Sequence, residues 1–87
     1  MTSLPRLTYS GAINLTNDLS VLEAELHAGR VAAAEKGYLH EPDSIDVEQA
    51  MFVADSDRLL SADEAAIAGL DFQPTHTRFV MIWAAQP

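Results

Sequence analysis

Three side chains that could bind a metal ion or exchange a proton lie close together in one short segment. These are the imidazole of His40 and the carboxylates of Glu41 and Asp43. A hard cation needs more converging oxygen ligands, in a more defined order, than this segment supplies. Pro42 also marks the segment as a loop. A solvated loop is therefore the better interpretation, and we predict no metal site.

The other residues with catalytic potential are isolated from one another. His27 and His76 have no second histidine at the spacing that puts two metal ligands on one helix face. Asp55-Ser56-Asp57 begins like a calcium-binding loop but lacks the glycine and the glutamate that complete one. The chain has no Gly-x-Ser-x-Gly turn and no glycine-rich phosphate loop. We therefore predict that the protein is not an enzyme and uses no cofactor.

Charge is the strongest compositional signal. The 87 residues include thirteen acids and five bases, for a formal net charge of −8. Between Glu41 and Glu64, eight acids accompany one base, Arg58, which gives this stretch a net charge of −7. Direct binding to nucleic acids or to anionic membranes is disfavoured, because both depend on clustered cations.

The acidic stretch has two interpretations. It can simply keep a small domain in solution, or it can form an anionic face that docks on a basic surface of another protein. The second interpretation assigns partner binding to six residues: Glu41, Asp43, Asp46, Glu48, Asp55 and Asp57. In composition alone, the chain is similar to small acidic inhibitors, many of them phage-encoded, that imitate nucleic acid. We predict an inhibitor or regulator of viral or mobile-element type that acts by protein–protein interaction.

Local patterns place the first elements of the chain. Alternating apolar and polar residues predict a strand over Arg6–Asn14. A long amphipathic helix follows, with a capping box from Ser20 to Glu23 and with Asp18 as the competing cap. Gly37 lies where a left-handed residue ends a helix.

The segment Ile45–Ala54 has two interpretations. It has the apolar spacing of a helix, but with the residues that follow it also reads as a hairpin with a polar turn at Asp55-Ser56-Asp57. We favour the hairpin slightly, because it places Phe52 and Val53 on a packed surface. Ser61 and Glu64 then form a second capping box, and a final strand begins near Thr75.

The hairpin interpretation gives the order β-α-β-β-α-β in one α+β domain over residues 1–87, with residues 1–5 as a short flexible arm. This order matches a ferredoxin-like arrangement, in which two helices cover one face of an antiparallel sheet. The helical interpretation gives three helices and a two-stranded sheet. The absence of cysteine, of a secretory signal and of an apolar stretch of membrane-spanning length predicts a cytoplasmic protein.

The last strand, Arg78–Ala85, supports a second functional hypothesis. It is apolar on both faces, and in the simplest ferredoxin-like order it lies at a sheet edge, where an apolar strand needs a partner. The chain would then be a structural or assembly subunit that self-associates, for instance as a homodimer, through this strand. Burial of Trp83 would leave the acids as the leading candidate site.

Overall fold

The computed structural model describes residues 3–87. The elements are β1 (Leu7–Asn14), α1 (Leu19–Glu35), β2 (Ser44–Val53), β3 (Arg58–Leu60), α2 (Ala62–Ile67) and β4 (His76–Trp83). This order confirms the predicted β-α-β-β-α-β sequence of elements. The segment with two interpretations is the hairpin β2–β3, so the alternative of three helices with a two-stranded sheet is wrong.

Residues 1 and 2 of the predicted arm lie outside the described residues. The rest of that arm is attached to the fold. Leu4 pairs with Gln86 in an isolated β-bridge, and the carbonyl of Pro5 accepts a hydrogen bond of 2.6 Å from the Tyr38 hydroxyl.

The four strands form an antiparallel sheet in the order β1-β4-β2-β3. The ferredoxin-like strand order is therefore not found, and the predicted edge position of the last strand is wrong. β4 pairs with β1 along one side and with β2 along the other. The central position satisfies the backbone groups of the most apolar strand on both sides and leaves the more polar strands to form the edges.

The core lies between α1 and one face of the sheet. Phe79, Met81 and Trp83 of β4 are fully buried there, and the indole Nε1 of Trp83 donates a hydrogen bond of 3.0 Å to the His40 carbonyl. Only this face of β4 is fully covered, because Val80 on the opposite face is half-buried. This strand is apolar on both faces but is therefore fully covered on one face alone.

Two glycines allow the closest contacts in this core. A Cβ atom added to Gly29 in α1 would lie 2.7 Å from the Met81 sulfur and 2.8 Å from a Tyr9 ring carbon. A Cβ atom added to Gly11 in β1 would lie 2.8 Å from the Phe79 ring. α1 therefore lies over Tyr9 of β1 and Met81 of β4 at the same time.

The helix ends follow local capping chemistry. Asp18, the competing candidate, is the N-cap of α1 and accepts from the Ser20 backbone N–H at 3.0 Å, so the favoured cap, Ser20, is wrong. Gly37 has the expected positive φ, 97°, after α1. Ser61 and Glu64 form the predicted capping box at the start of α2.

The two helices pack on different parts of an elongated molecule. α1 packs on β1, whereas α2 packs on β2 and β3, at the opposite end of the strand order. The overall dimensions are 50 × 28 × 19 Å. Across residues 3–87, no helix is long and apolar enough to cross a membrane.

Candidate protein-binding surface

The β2 strand places two of the six predicted site residues on one face of the sheet. In the register, Asp46 is paired with Val80 and Glu48 with Arg78 of β4. Cross-strand neighbours share a face, and this face is opposite the one that carries Met81 and α1. We call it the outer face. It carries Ser10, Ala12, Ser44, Asp46, Glu48, His76, Arg78, Val80 and Ile82.

The side chain of Arg78 is bound by two acids on this side of the molecule. Its Nη2 lies 2.5 Å from Oε1 of Glu48 and 3.3 Å from Oε1 of Glu64, and its Nη1 donates to the Leu59 carbonyl at 3.2 Å. Two carboxylates thus neutralise one guanidinium, and the cluster keeps a net negative charge. Charge-assisted bonds of this kind hold β4, β2 and α2 together.

The environment of this cluster shifts two pKa values. The backbone N–H and the hydroxyl of Ser61, together with the Arg78 guanidinium, lower the pKa of the Glu64 carboxyl. The hydrogen bond that Arg78 donates to Glu48 raises the pKa of Arg78, with a further contribution from the bond to Glu64. Both groups are therefore charged at neutral pH.

Two more of the predicted site residues are occupied by contacts within the chain. Oε2 of Glu41 accepts from Nε of Arg30 at 2.6 Å, which turns Glu41 towards α1. Oδ2 of Asp43 accepts from the backbone N–H of Ala84 at 2.7 Å. Asp43 therefore secures the end of β4, and we assign it a structural role.

The remaining acids, Asp46, Asp55 and Asp57, are exposed. Among residues 3–87, none of these three carboxylates forms an ion pair. Asp55 and Asp57 lie in the β2–β3 turn, where Asp57 has a positive φ of 53°. Asp and Asn tolerate this left-handed conformation better than most residues.

The six predicted residues therefore do not form a single group in the structure. Asp46 and Glu48 lie on the outer face, Asp57 borders an open depression on the same side, and Asp55 lies at the neighbouring hairpin tip. Glu41 points away from this group. The ten residues of β2 span about 33 Å, so the acids extend along the molecule rather than converging on one point.

The edge of β2 adds backbone groups to this acidic surface. β3 pairs only with Met51–Val53, so in the described part of the chain the stretch from Ser44 to Ala50 has β4 as its one strand partner. We call this stretch the β2 edge. Its exposed side chains include Asp46 and Glu48.

The Arg78 cluster was not predicted from the sequence. Glu48 and Glu64 are 30 and 14 residues from Arg78 along the chain, too far apart for a local pattern to join them. The one available signal was a lone cation directly before a long apolar run, because such a cation needs a carboxylate partner when it is partly buried.

No group of three or more potential metal ligands occurs within residues 3–87, and His40 Nε2 lies 4.0 Å from Oδ2 of Asp43. The depression on the outer face, about 580 Å³ in volume, is open. The Arg78 guanidinium that borders it is already bound by Glu48 and Glu64.

Comparisons with protein-family models, with curated proteins and with solved structures found no match to this chain. Its function must therefore be argued from the arrangement of its own residues.

Proposed function

We propose that this chain is a non-enzymatic protein-binding domain that docks its β2 edge and its β2–β3 hairpin on a basic surface of a partner protein. One observation carries the proposal. Asp46, Asp55 and Asp57 are exposed, and no cation within residues 3–87 pairs with them. Their charges are therefore available to an external cation.

The distribution of charge supports the same surface. All thirteen acids lie between Asp18 and Asp71, and eight of them lie between Glu41 and Glu64. The nearby cation Arg78 is shared by two carboxylates. An approaching basic surface would meet a negative potential along the whole of β2, which speeds association and orients the partner.

The length of the acidic surface favours one kind of partner. An acidic surface that follows the roughly 33 Å of β2 and continues to the β2–β3 turn fits an extended basic groove better than a point-like cationic pocket. Such grooves bind the phosphates of nucleic acids. The chain would then be an inhibitor or regulator of the nucleic-acid-mimic type, acting in the cytoplasm. The absence of cysteine agrees with that location.

The structure indicates which acids a test should change. Asp46→Asn, Asp55→Asn and Asp57→Asn are combined in one variant, and Asp43 is left intact because it binds the Ala84 N–H. Asn keeps the shape of Asp and tolerates the positive φ at position 57. The matched control changes three exposed acids of α1 instead: Glu23→Gln, Glu25→Gln and Glu35→Gln.

The wild-type chain is immobilised and used to capture a partner from a lysate of its source cells, and the purified partner is titrated at increasing salt. We expect affinity to fall as salt rises and to fall at least about tenfold in the aspartate variant. The α1 variant should bind nearly as well as the wild type. Binding that is indifferent to salt, or equal loss in both variants, would refute a specific acidic surface.

Self-association through Arg78–Ala85 is the second hypothesis, and the structure limits how it could work. Both sides of β4 are already paired within the chain, and Trp83 is fully buried. Contact with a second copy would have to use the half-buried outer-face side chains of β4, such as Val80 and Ile82, or the exposed alanines 84 and 85 that follow the strand. The exposed acids therefore remain the leading candidate.

A further inference from the structure

We infer that β1 pairs with β1 of a second copy of this chain, forming a two-fold dimer with one continuous eight-stranded sheet. This inference is independent of the acidic binding surface. β1 is an edge strand of eight residues. Within residues 3–87, β4 is its one strand partner, so alternate backbone N–H and C=O groups along its other side face solvent.

β1 lacks the features that usually keep a sheet edge from pairing. Proteins protect exposed edges with charged side chains, proline, bulges or very short strands. β3 has only three residues, and the β2 edge carries Asp46 and Glu48. Between Leu7 and Asn14 there is neither a charged residue nor a proline. β1 is therefore the one long, unprotected edge in the described sheet.

Charge makes a second copy the best-suited occupant. A chain with a net charge of −8 repels its own copies over most of its surface. The first seventeen residues contain no acid and one base, Arg6. Two copies that meet at β1 bring together uncharged strands, and no antiparallel register of β1 with itself opposes two like charges.

The position of α1 is compatible with this pairing. α1 packs on β1, and at Gly29 it meets the side chains of both Tyr9 and Met81. Two β1 strands paired at about 4.8 Å therefore bring the two α1 helices against each other across the two-fold axis. Because helices normally pack at about 8–10 Å, the dimer requires each α1 to lie on the β4 side of its own β1.

The side of α1 that would face its copy is built largely of small residues. Arg30 marks the side that faces Glu41. At 100° per residue, the opposite flank carries Val21, Ala28 and Ala32, together with the acids Glu25 and Glu35 and, directly after the helix, Lys36. The small residues of this flank permit a close helix–helix contact.

The size of the contact is that of a weak, reversible dimer. A strand of eight residues is about 27 Å long, and the strand and helix layers together are roughly 20 Å thick, which gives on the order of 1,000 Å² of buried surface in total. Interfaces of this size are at the low end for specific complexes. We expect a dimer with a dissociation constant of roughly 10 µM.

The test uses two serines as a matched pair. Ser10 of β1 and Ser44 of β2 are both exposed on the outer face, at opposite edges of the sheet. Light scattering after size exclusion, from about 1 to about 200 µM protein, should show a monomer–dimer equilibrium for the wild type. Ser10→Lys and Ser10→Glu should both weaken the dimer at least about tenfold, because each brings like charges together across the two-fold axis. Ser44→Lys and Ser44→Glu should leave it unchanged.

Several outcomes would overturn the inference. A wild-type chain that stays monomeric at the highest concentration contradicts it, as does a ladder of larger species, which indicates a head-to-tail contact. Opposite effects of Ser10→Lys and Ser10→Glu would indicate nonspecific charge attraction. Loss of the dimer in the Ser44 variants would assign the contact to the β2 edge. Amide hydrogen exchange of the wild type provides a readout without mutation, because dimerisation should protect the solvent-facing N–H groups of β1.

Discussion

The two long edges of this sheet are built from the same kind of element but carry opposite chemistry. β1 is uncharged over eight residues and lies beneath α1. The β2 edge, Ser44–Ala50, carries Asp46 and Glu48, and its apolar residues Ile45 and Val47 are 38% and 50% exposed. The edge with the more exposed apolar side chains is thus the one that carries acids.

This difference indicates how a small acidic sheet controls what it pairs with. Charged residues on an edge strand prevent pairing with another strand at little cost in stability. Here they protect the β2 edge and at the same time make it attractive to a basic partner. β1 has no such protection, so its free backbone groups remain open to an uncharged strand.

The largest expected effect on stability comes from disturbing the packing of α1 on the sheet. In Gly29→Val the new side chain would enter the space held by the Met81 sulfur and the Tyr9 ring. α1 would have to move away from the sheet, and we expect the free energy of unfolding to fall by about 3 kcal/mol. Urea unfolding followed by the fluorescence of the buried Trp83 measures the change.

The neighbouring residue provides the control for Gly29→Val. Ala28 lies in the same helix and is exposed, so Ala28→Val introduces the same side chain at a cost of only about 0.5 kcal/mol, from helix propensity. Equal losses in the two variants would mean that close packing of α1 on β1 does not stabilise this half of the molecule.

In the half of the molecule that contains β2 and α2, the corresponding test is Arg78→Met. Met keeps much of the apolar stem but removes the bonds to Glu48, Glu64 and the Leu59 carbonyl. Because Glu48 is largely solvated, we expect a loss of only about 1–2 kcal/mol. Arg58→Met is the control. The Arg58 Nη2 lies 3.9 Å from Glu64 at an exposed site, so its removal should cost less than about 0.5 kcal/mol. A larger loss from Arg58→Met would contradict the role assigned to Arg78.

Low pH should lower the stability of the half of the molecule that contains β2, because it protonates Glu64. Its pKa is lower in the folded chain than its ordinary value of 4.5, chiefly because of the Ser61 backbone N–H. Its contribution to stability is therefore complete above that value and is lost as the pH falls through the folded pKa. Glu64→Gln keeps an acceptor for the cap but carries no charge. The stability difference between wild type and variant, measured by urea unfolding from neutral pH downward, should shrink below about pH 4.5. A difference that is constant with pH would mean that the charge of Glu64 has no effect.

Local sequence signals predicted the elements of this fold but not their arrangement. Period-2 alternation and the Ser61–Glu64 box are encoded by neighbouring residues, so the order of strands and helices was predictable. The cap of α1 was ambiguous because Asp18 and Ser20 are both good caps two residues apart. The strand order depends on pairings between distant segments, such as Glu48 with Arg78, and several orders satisfy the same local patterns.

The candidate site, like the fold, was predictable only in part. Composition alone located the acidic stretch. The distinction between free acids and occupied ones was not predictable, because it depends on contacts such as that of Asp43 with the Ala84 N–H, across 41 residues. The unprotected edge was also hidden, because β1 becomes an edge only once β4 is placed inside the sheet.

Asp46→Thr should change the stability least, and it tests the comparison between the two edges most directly. Asp46 is exposed on the β2 edge, and Asp46→Thr introduces a good strand former, so the free energy of unfolding should change by no more than about 0.5 kcal/mol. The variant nevertheless leaves an uncharged run, Ile45-Thr-Val47, on an edge whose other acid, Glu48, is bound to Arg78. We expect light scattering to show species larger than a dimer, because both edges can now pair.

Asp55→Thr removes the same charge from the hairpin turn, outside the strand ladder, and should leave the oligomeric state of the wild type unchanged. Adding Ser10→Lys to Asp46→Thr should restore a limited assembly, because only the β2 edge then remains open. If Asp46→Thr behaves like the wild type at every concentration, the acids do not protect the β2 edge. Their exposure would then be explained by partner binding alone, since a charge that neither pairs within the chain nor prevents self-pairing has an effect only on an external partner.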